Sequence, residues 1–230
     1  MTPRQEQILH AIVETYAGTA EPVGSLALCE KFTTSSATIR AEMAALEALG
    51  YIMQPHISAG RVPTDKGYRA YFNSLSEPKP SRHHEQALAR RINSAGEIER
   101  AIKNAVESLA DVTSNLGLGT IGGNLYLSGM ASLFHHPEFS GGARAYEVAR
   151  LLDSLEEWLA EAAPGAPVSV YIGRENPVGR SSGATLIISR FQSPYSHRSY
   201  VGVLGPTRQN YGPVIGLVGY TGKLLEEALN

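Results

Sequence analysis

The sequence predicts an α+β fold made of two domains. Three observations support this prediction. Apolar residues recur at helical spacing through residues 1–50 and lead into a glycine-tipped turn, prolines interrupt the pattern at residues 76–82, and strand-like and helical runs then alternate. With 230 residues, of which 43% are hydrophobic, the chain is long and apolar enough to give each domain a buried core.

The first two helices are predicted from a cap and from their inward-facing residues. Thr2, Pro3 and Gln5 fit a capping box, in which Gln5 reaches back to the backbone of Thr2. A second helix is expected after Ser25. The residues predicted to face inward are Ile8, Leu9, Ile12, Val13 and Tyr16 in the first helix, and Leu28, Cys29 and Phe32 in the second.

A third helix and a hairpin complete the pattern. The helix begins at Ser35 or Ser36, whose hydroxyl can accept a hydrogen bond from the first turn, and Gly50 ends it. Residues 51–53 suit a short strand, and residues 55–60 supply a turn before the chain returns. The buried stripe of the helix is predicted to be Ile39, Met43, Leu46 and Leu49. Three helices followed by a hairpin predict a winged helix-turn-helix over residues 1–75, in which the third helix enters the major groove of DNA.

The residues expected to contact DNA lie on the third helix and around the hairpin. Small alanines opposite the core stripe would admit the helix deep into the groove, while Arg40 reads a guanine or binds a phosphate. Arg61 is expected to enter the minor groove. His56 either contacts a phosphate or only flanks the turn, and the alanines are also compatible with an ordinary solvated face. The candidate residues are Ser35, Ser36, Thr38, Arg40, Ala41, His56, Ser58, Arg61, Lys66 and Arg69.

The charge of residues 1–75 limits how many phosphates this domain can neutralise. Six Lys or Arg residues stand against seven Asp or Glu residues, which gives a net charge of minus one. Most non-specific DNA-binding proteins are clearly basic, because phosphate neutralisation releases counterions. We therefore expect few phosphate contacts per chain, and two copies on a symmetric site.

Six segments carry a resemblance to a known family. They are AEPVGS (20–25), SSATIR (35–40), QPHISAGRVPTDKGYR (54–69), GNLYLSG (123–129), YIGRENP (171–177) and GPTRQNY (205–211). Together they resemble the signature blocks of HrcA, the bacterial heat-inducible transcription repressor family. The resemblance is nearly continuous over residues 1–75 and resumes from about Asn124. Because residues 78–123 are too few for the family's central region with its inserted dimerising segment, the chain resembles a reduced HrcA.

The resemblance implies a fold and a function. The prolines at residues 76–82 predict a linker there, and the resemblance implies a reduced GAF-like α+β effector and dimerisation domain over residues 83–230. It also implies a repressor of chaperone operons that binds an inverted-repeat operator as a homodimer, loses activity on heating and is restored by the chaperonin GroEL. Where the family usually has a polar amide, this sequence has Ala41, so the amide's contact with adenine is not expected here.

The second domain is predicted to mix strands and helices. Strands are expected at Val168–Ile172, Thr185–Phe191 and Tyr200–Leu204, with the last two paired, and helices at Tyr146–Ala162 and Val214–Leu229. Gly216, Gly219 and Gly222 in the last helix either permit close packing or make it marginal. A long apolar stripe is expected either to pack on the sheet or to pair two chains; its residues are Leu88, Ile92, Ala95, Ile98, Ile102, Val106, Leu109 and Val112.

Other classes of protein find little support. Residues Gly117–Gly122 match a dinucleotide-binding fingerprint, but a predicted helix precedes them where that motif needs a strand. The two histidine pairs, at 83–84 and 135–136, are poorly arranged for one metal ion, and the lone Cys29 suits a small core position. We expect no enzyme activity, no cofactor, no membrane span and a cytoplasmic location. Two alternatives stay open: a protein-interaction module built on a degenerate winged helix, and a ligand-sensing module with a glycine-rich turn at its pocket.

Overall fold

The computed structural model describes residues 1–76, 78–162, 164–165 and 167–229. Two compact units are present: residues 1–76 with 208–210, and residues 77–207 with 211–230. Glu77, in the predicted linker, lies outside the described residues, as do Ala163, Ala166 and Asn230 of the predicted second domain. Residues 208–210 group with the first unit, whereas the predicted division at residues 76–82 assigned them to the second domain.

The first unit is a winged helix-turn-helix, as predicted. Its elements are α1 (Pro3–Thr19), α2 (Ser25–Cys29), α3 (Ser36–Ala48), β1 (Ile52–Met53), β2 (Val62–Pro63) and α4 (Asp65–Ser74). Strands β1 and β2 pair antiparallel, and Val23 adds an isolated bridge to Arg61. Gly60 lies so close to the backbone of Val23 that an added Cβ would fall 2.5 Å from the Val23 carbonyl carbon. A glycine at this position therefore lets the hairpin, which we call the wing, pack against residues 22–23.

The start of α1 follows the sequence. Gln5 N donates to Thr2 Oγ1 at 3.2 Å and Thr2 N donates to Gln5 Oε1 at 3.0 Å, so the capping box forms. The apolar core of this unit includes Ile8, Leu9, Ile12, Leu28, Ile39, Leu46 and Ile52, each almost fully buried. The prediction that Leu49 belongs to the buried stripe is wrong. Leu49 is the C-cap of α3 and its side chain is 45% exposed, because the helix ends before it completes another turn toward the core.

The second unit contains a five-stranded sheet with helices on both faces. Its elements are α5 (Arg82–Asn93), α6 (Ile98–Thr113), β3 (Leu116–Ile121), β4 (Asn124–Ser128), α7 (Met130–His135), α8 (Gly142–Asp153), α9 (Leu155–Ala162), β5 (Val168–Ile172), β6 (Ala184–Ser193), β7 (Ser196–Pro206) and α10 (Tyr211–Leu229). The strand order is β4-β3-β7-β6-β5 and every pair is antiparallel. The α+β prediction is confirmed.

Alternate residues of the sheet pack against different helices. Leu118, Leu186, Ile188, Tyr200 and Leu204 share one core with residues of α7, α8 and α9. On the opposite face α6 packs on β3 and α10 packs on β6. The predicted pairing of the strands at 185–191 and 200–204 is confirmed, with a longer hairpin than expected and an irregular register between Phe191 and Ser193.

Gly117 and Gly119 lie in strand β3, so residues 117–122 do not form the turn of a dinucleotide-binding fingerprint. A Cβ at Gly117 would overlap the Val106 carbonyl oxygen of α6, and one at Gly119 would lie 2.9 Å from the Val106 side chain. These two glycines therefore let α6 lie close to the sheet. Gly122 and Gly123 make the tight turn into β4, with φ angles of +58° and +83° that glycine adopts readily.

The apolar stripe of residues 88–112 lies inside the unit. Leu88, Ile92, Ile102, Val106 and Leu109 are all buried, because α5 packs on α6 and α10 while α6 packs on β3. At the end of the stripe, Val112 is 40% exposed. The hypothesis that this stripe pairs two chains is therefore wrong for most of its length, since those side chains already have partners in their own unit.

Two predicted helices differ in detail from the structure. The helix expected over 146–162 is divided at Ser154 into α8 and α9. In α10, a Cβ at Gly222 would overlap the hydroxyl of Ser189 on β6, and one at Gly216 would lie 2.7 Å from the backbone of Lys79. Close packing thus accounts for both glycines. Among the described residues, no helix combines the length and the apolar character that crossing a membrane would need.

Candidate nucleic-acid interface

The first turn of α3 is built by hydroxyl groups. Ser35 is the N-cap: its Oγ accepts a hydrogen bond from Thr38 N at 3.2 Å and lies 2.9 Å from Thr38 Oγ1. Ser36 Oγ lies 3.0 Å from Ser25 Oγ at the start of α2. Of the three predicted contact residues here, Ser36 therefore joins α2 to α3, while Ser35 and Thr38 hold the helix end. The amides of this turn and the helix dipole favour a nearby anion such as a phosphate.

The outer face of α3 is small and exposed. Ala37, Arg40, Ala41, Ala44 and Ala48 are all exposed, opposite the buried Ile39, Met43 and Leu46. The Arg40 Nε donates to the Ser36 carbonyl at 3.3 Å, so in the free protein the side chain lies back along its own helix. One guanidinium on a surface of methyl groups is suited to a groove whose walls are charged and whose floor carries thymine methyls.

The wing is fastened to α3 by one carboxylate. Glu47 Oε2 accepts from Arg61 Nε at 2.9 Å and pairs with the second nitrogen of the same guanidinium at 2.9 Å. Glu47 Oε1 accepts from the backbone N of Gln54 at 3.1 Å. The Arg61 and Glu47 side chains are 22% and 35% exposed. Arg61 was predicted to enter the minor groove, whereas the structure pairs it with the third helix.

The tip of the wing presents an apolar side chain that was not among the predicted contact residues. Ile57 is 93% exposed. Next to it Ser58 has a φ of +69°, in the left-handed region, and the ring of His56 lies with Nδ1 3.2 Å from the Ile57 carbonyl. His56 and Ser58 thus shape the tip. A signal was present in the sequence, because Ile57 is the one large apolar residue in an otherwise polar and glycine-bearing turn.

The two cations after the wing contact their own unit. Lys66 Nζ donates to the Leu49 carbonyl at 2.7 Å and lies 4.6 Å from the centroid of the Tyr51 ring. A cation at the carboxyl end of α3 is favoured by the helix dipole. The Arg69 guanidinium lies 4.9 Å from the centroid of the Phe72 ring. Lys66 therefore helps to pack α4 against the end of α3, whereas this contact of Arg69 lies within α4.

Arg4 stands near the predicted site, although it was not among the predicted contact residues. Its guanidinium donates to Thr34 Oγ1 at 2.8 Å, immediately before the N-cap of α3. The side chains of Arg4 and Arg40 are both exposed. The sequence pattern did not predict that Arg4 lies beside Thr34, because thirty residues separate them in the chain. The amino end of α3 thus has one more cation than the sequence pattern indicated.

Two tyrosines of α4 link this surface to the body of the first unit. The Tyr71 hydroxyl donates to Glu14 Oε1 at 3.5 Å, and the His10 ring stands edge-on to Tyr71 with centroids 4.9 Å apart. Burial, followed by the Glu14 carboxylate, raises the pKa of Tyr71. Tyr68 is buried beside it. These contacts hold α4 against α1 and so help to fix the position of the wing.

Within the described parts of the chain, no three His, Cys, Asp or Glu residues are grouped to hold a metal ion.

Two family models match the chain. One describes the winged helix-turn-helix of a transcription repressor, the HrcA DNA-binding domain, and matches residues 1–76. The other describes the HrcA protein C-terminal domain and matches residues 63–215. Together they match residues 1–215, which include parts of both structural units.

Relatives with the same name match about half of the chain. The heat-inducible transcription repressor HrcA of Thermobifida fusca is 48% identical over 118 residues, which are 50% of this chain and 34% of that protein. The protein of that name from Gloeobacter violaceus is 42% identical over 133 residues, or 56% of this chain and 37% of its own length. The chain thus covers about a third of the length of these relatives.

One solved structure is similar over the whole chain. It is a crystal structure described as that of a hypothetical protein, with a TM-score of 0.82 and 19% sequence identity. The match covers 100% of this chain and 98% of that one. At this identity the likeness concerns the fold alone.

Proposed function

Because this chain belongs to the HrcA family, we propose that it is a sequence-specific DNA-binding repressor of heat-shock operons. The proposal rests on the exposed face of α3 and on the wing, which Glu47 holds beside that helix. A winged helix needs both a helix that enters the major groove and a wing held at a fixed distance from it. The family is one of transcription repressors rather than enzymes.

Each part of the surface has a distinct proposed role. Arg40 reads a base edge or binds a phosphate from the middle of α3, and Arg4 with the amino end of α3 binds a phosphate. Ile57 is an apolar contact at the wing tip, which enters the minor groove; isoleucine is among the residues that proteins insert there. Arg61 and Lys66 act as positioning residues, since their contacts shape the wing and the end of α3.

Two copies acting together would supply the affinity that one copy lacks. Residues 1–75 carry a net charge of minus one, and among their six cations Arg61, Lys66 and Arg69 contact Glu47, a backbone carbonyl and an aromatic ring, respectively. A homodimer on an inverted repeat doubles the number of phosphate contacts. It places the two recognition helices about 34 Å apart, or at a multiple of that distance.

The name of the relatives also suggests a response to heat. The proteins matched here are called heat-inducible repressors. As the family resemblance implies, heating would remove the operator-binding fold, and GroEL would restore it in the cytoplasm. Recovery of operator binding after heating, compared with and without GroEL and ATP, tests this part separately. Equal recovery in both samples would exclude a role for the chaperonin.

Half-site duplexes test the proposed mode of binding. Fluorescence anisotropy titrations would compare a duplex carrying the complete inverted repeat with one in which the second half-site is scrambled. We expect two chains per complete operator and affinity at least roughly tenfold weaker for the half-site. Equal affinity for both duplexes, at one chain each, would contradict binding as a dimer. The variant Arg40→Ala, which lacks the proposed base or phosphate contact, serves as the control for weakened binding.

A further inference from the structure

A cavity in the second unit lies between α9 and the strands β3 and β7. Its volume is about 110 Å³, and the described residues around it include Ile121, Gly122, Gly123, Leu159 and Tyr200. This volume is somewhat smaller than a cavity of about 150 Å³ that holds benzene in another protein, so a ligand of roughly five or six non-hydrogen atoms would fit. The two glycines of the β3–β4 turn leave room at its rim.

Tyr200 brings an unsatisfied polar group to this cavity. The residue is 2% exposed, and among the described residues its hydroxyl has no hydrogen-bond partner. The backbone around it is rigidly paired: Tyr200 N donates to Thr120 Oγ1 at 3.1 Å. Burial raises the pKa of Tyr200, while Arg190 and Arg198 act in the opposite direction. A buried hydroxyl without a partner is rare in folded proteins and calls for a water or a ligand.

Two opposite charges stand at the same cavity. Arg198 of β7 and Glu156 of α9 both line it, and both residues are exposed. Among the ion pairs of the described residues, none joins Arg198 to Glu156. A guanidinium recognises a carboxylate, and a carboxylate accepts from an ammonium or a hydroxyl. Leu159 and Ile121 supply apolar wall beside these groups.

We propose that this cavity binds a small carboxylate that also carries a hydrogen-bond donor, the chemistry of an α-amino or α-hydroxy acid. Arg198 pairs with the ligand carboxylate, Glu156 accepts from the donor, and the Tyr200 hydroxyl completes its hydrogen bonding on the ligand. Bound in this way, the ligand joins α9 to the sheet and stabilises the second unit. The site is independent of DNA binding by the first unit.

Thermal melting and isothermal titration calorimetry of the full chain test the site. The probes are glycine, L-alanine, L-lactate and propionate, where propionate carries the carboxylate but no donor. We expect the melting temperature to rise to a saturating value with an amino or hydroxy acid. Propionate should bind at least roughly tenfold more weakly. Comparing alanine with lactate tells whether the donor is an ammonium or a hydroxyl.

Three variants decide whether binding occurs at this cavity. Tyr200→Phe removes only the hydroxyl and Arg198→Met removes only the charge; each should weaken binding roughly tenfold or more. Tyr146→Phe alters a tyrosine that is 65% exposed on α8, and it should bind as the unaltered chain does. The melting temperature of ligand-free Tyr200→Phe should not fall, because the hydroxyl has no partner to lose. Absence of saturable binding by any probe, equal binding by all variants, or a clear loss of ligand-free stability in Tyr200→Phe would overturn the proposal.

Discussion

The cations of the first unit divide by what their side chains contact. Arg61 pairs with Glu47, and Lys66 caps α3 at the Leu49 carbonyl. These residues hold elements together. Arg4 and Arg40 contact only a hydroxyl and a carbonyl, and both are exposed, so they can exchange those contacts for phosphate or base at little cost. The sequence identified the basic residues but not this division.

Arg40→Ala should lower operator affinity without changing stability. Loss of a base or phosphate contact costs about 1–3 kcal/mol, or roughly tenfold to a hundredfold in affinity. The melting temperature should stay constant because the side chain is exposed and forms only one hydrogen bond, to its own helix. Arg40→Lys keeps the charge but not the planar fork, so partial rescue indicates that the charge contributes and no rescue indicates that the contact needs the fork geometry. Unchanged affinity in both variants would remove Arg40 from the interface.

Ile57→Ser should also weaken operator binding while stability is preserved. Burial of an isoleucine side chain contributes about 1.5–3 kcal/mol, and in the free protein this side chain is 93% exposed. We therefore expect a fall of roughly tenfold in affinity, measured by anisotropy, with the same melting temperature. Ile57→Val is the matched control because it keeps most of the apolar surface. If Ile57→Ser binds as tightly as Ile57→Val, the wing tip does not enter a groove.

Among secondary-structure elements, the helices of the first unit were the easiest to predict. Their caps and stripes are local signals, such as Thr2 with Gln5 and Ser35 with Thr38. Strand β3 was not predicted, because its glycines carry no strand pattern and serve the close approach of α6. At Ser154 the sequence has no proline or glycine that would predict the break between α8 and α9. Contacts across the sequence decide both cases, and a single sequence does not display them.

A double-mutant cycle between Glu47 and Arg61 should show that the pair positions the wing. The partly exposed ion pair itself contributes about 1 kcal/mol or less to stability. Loss of either partner should weaken operator binding to a similar extent, and Glu47→Ala with Arg61→Ala together should be little worse than either alone. The salt dependence of binding should keep its slope in all three variants, since no phosphate contact is lost. A slope reduced by about one in Arg61→Ala alone would show direct contact with the backbone of DNA.

Two glycines of α10 should respond in opposite directions to alanine. At Gly222 the added methyl would overlap Ser189, and such overpacking typically costs about 1–3 kcal/mol. At Gly212 no atom lies within 4 Å of the added Cβ, so alanine should leave stability unchanged or raise it by up to about 1 kcal/mol. Thermal melting of the full chain compares the two variants. Equal effects at the two positions would show that close packing does not explain Gly222.

At the scale of the whole molecule, composition and motif blocks predicted the α+β class and the winged helix. The order β4-β3-β7-β6-β5 was beyond prediction, because it depends on which strands meet across about eighty residues, as Thr120 and Tyr200 do. Likewise, the wing was predicted from turn residues, but its attachment to α3 through Glu47 was not. The sequence therefore predicted which residues are candidates for contact with DNA, but not which residues of the protein their side chains contact in the structure.

Operator preference at two salt concentrations is the decisive measurement of sequence-specific DNA binding by this chain. Fluorescence anisotropy of the full chain would be measured with an inverted-repeat duplex and with a scrambled duplex, at low and near-physiological salt. We predict that affinity for both duplexes falls as salt rises, while the inverted repeat remains preferred by roughly a thousandfold or more. Equal weak binding to both duplexes, or no binding by well-folded protein, would contradict a sequence-specific repressor and favour a winged helix that binds a protein partner.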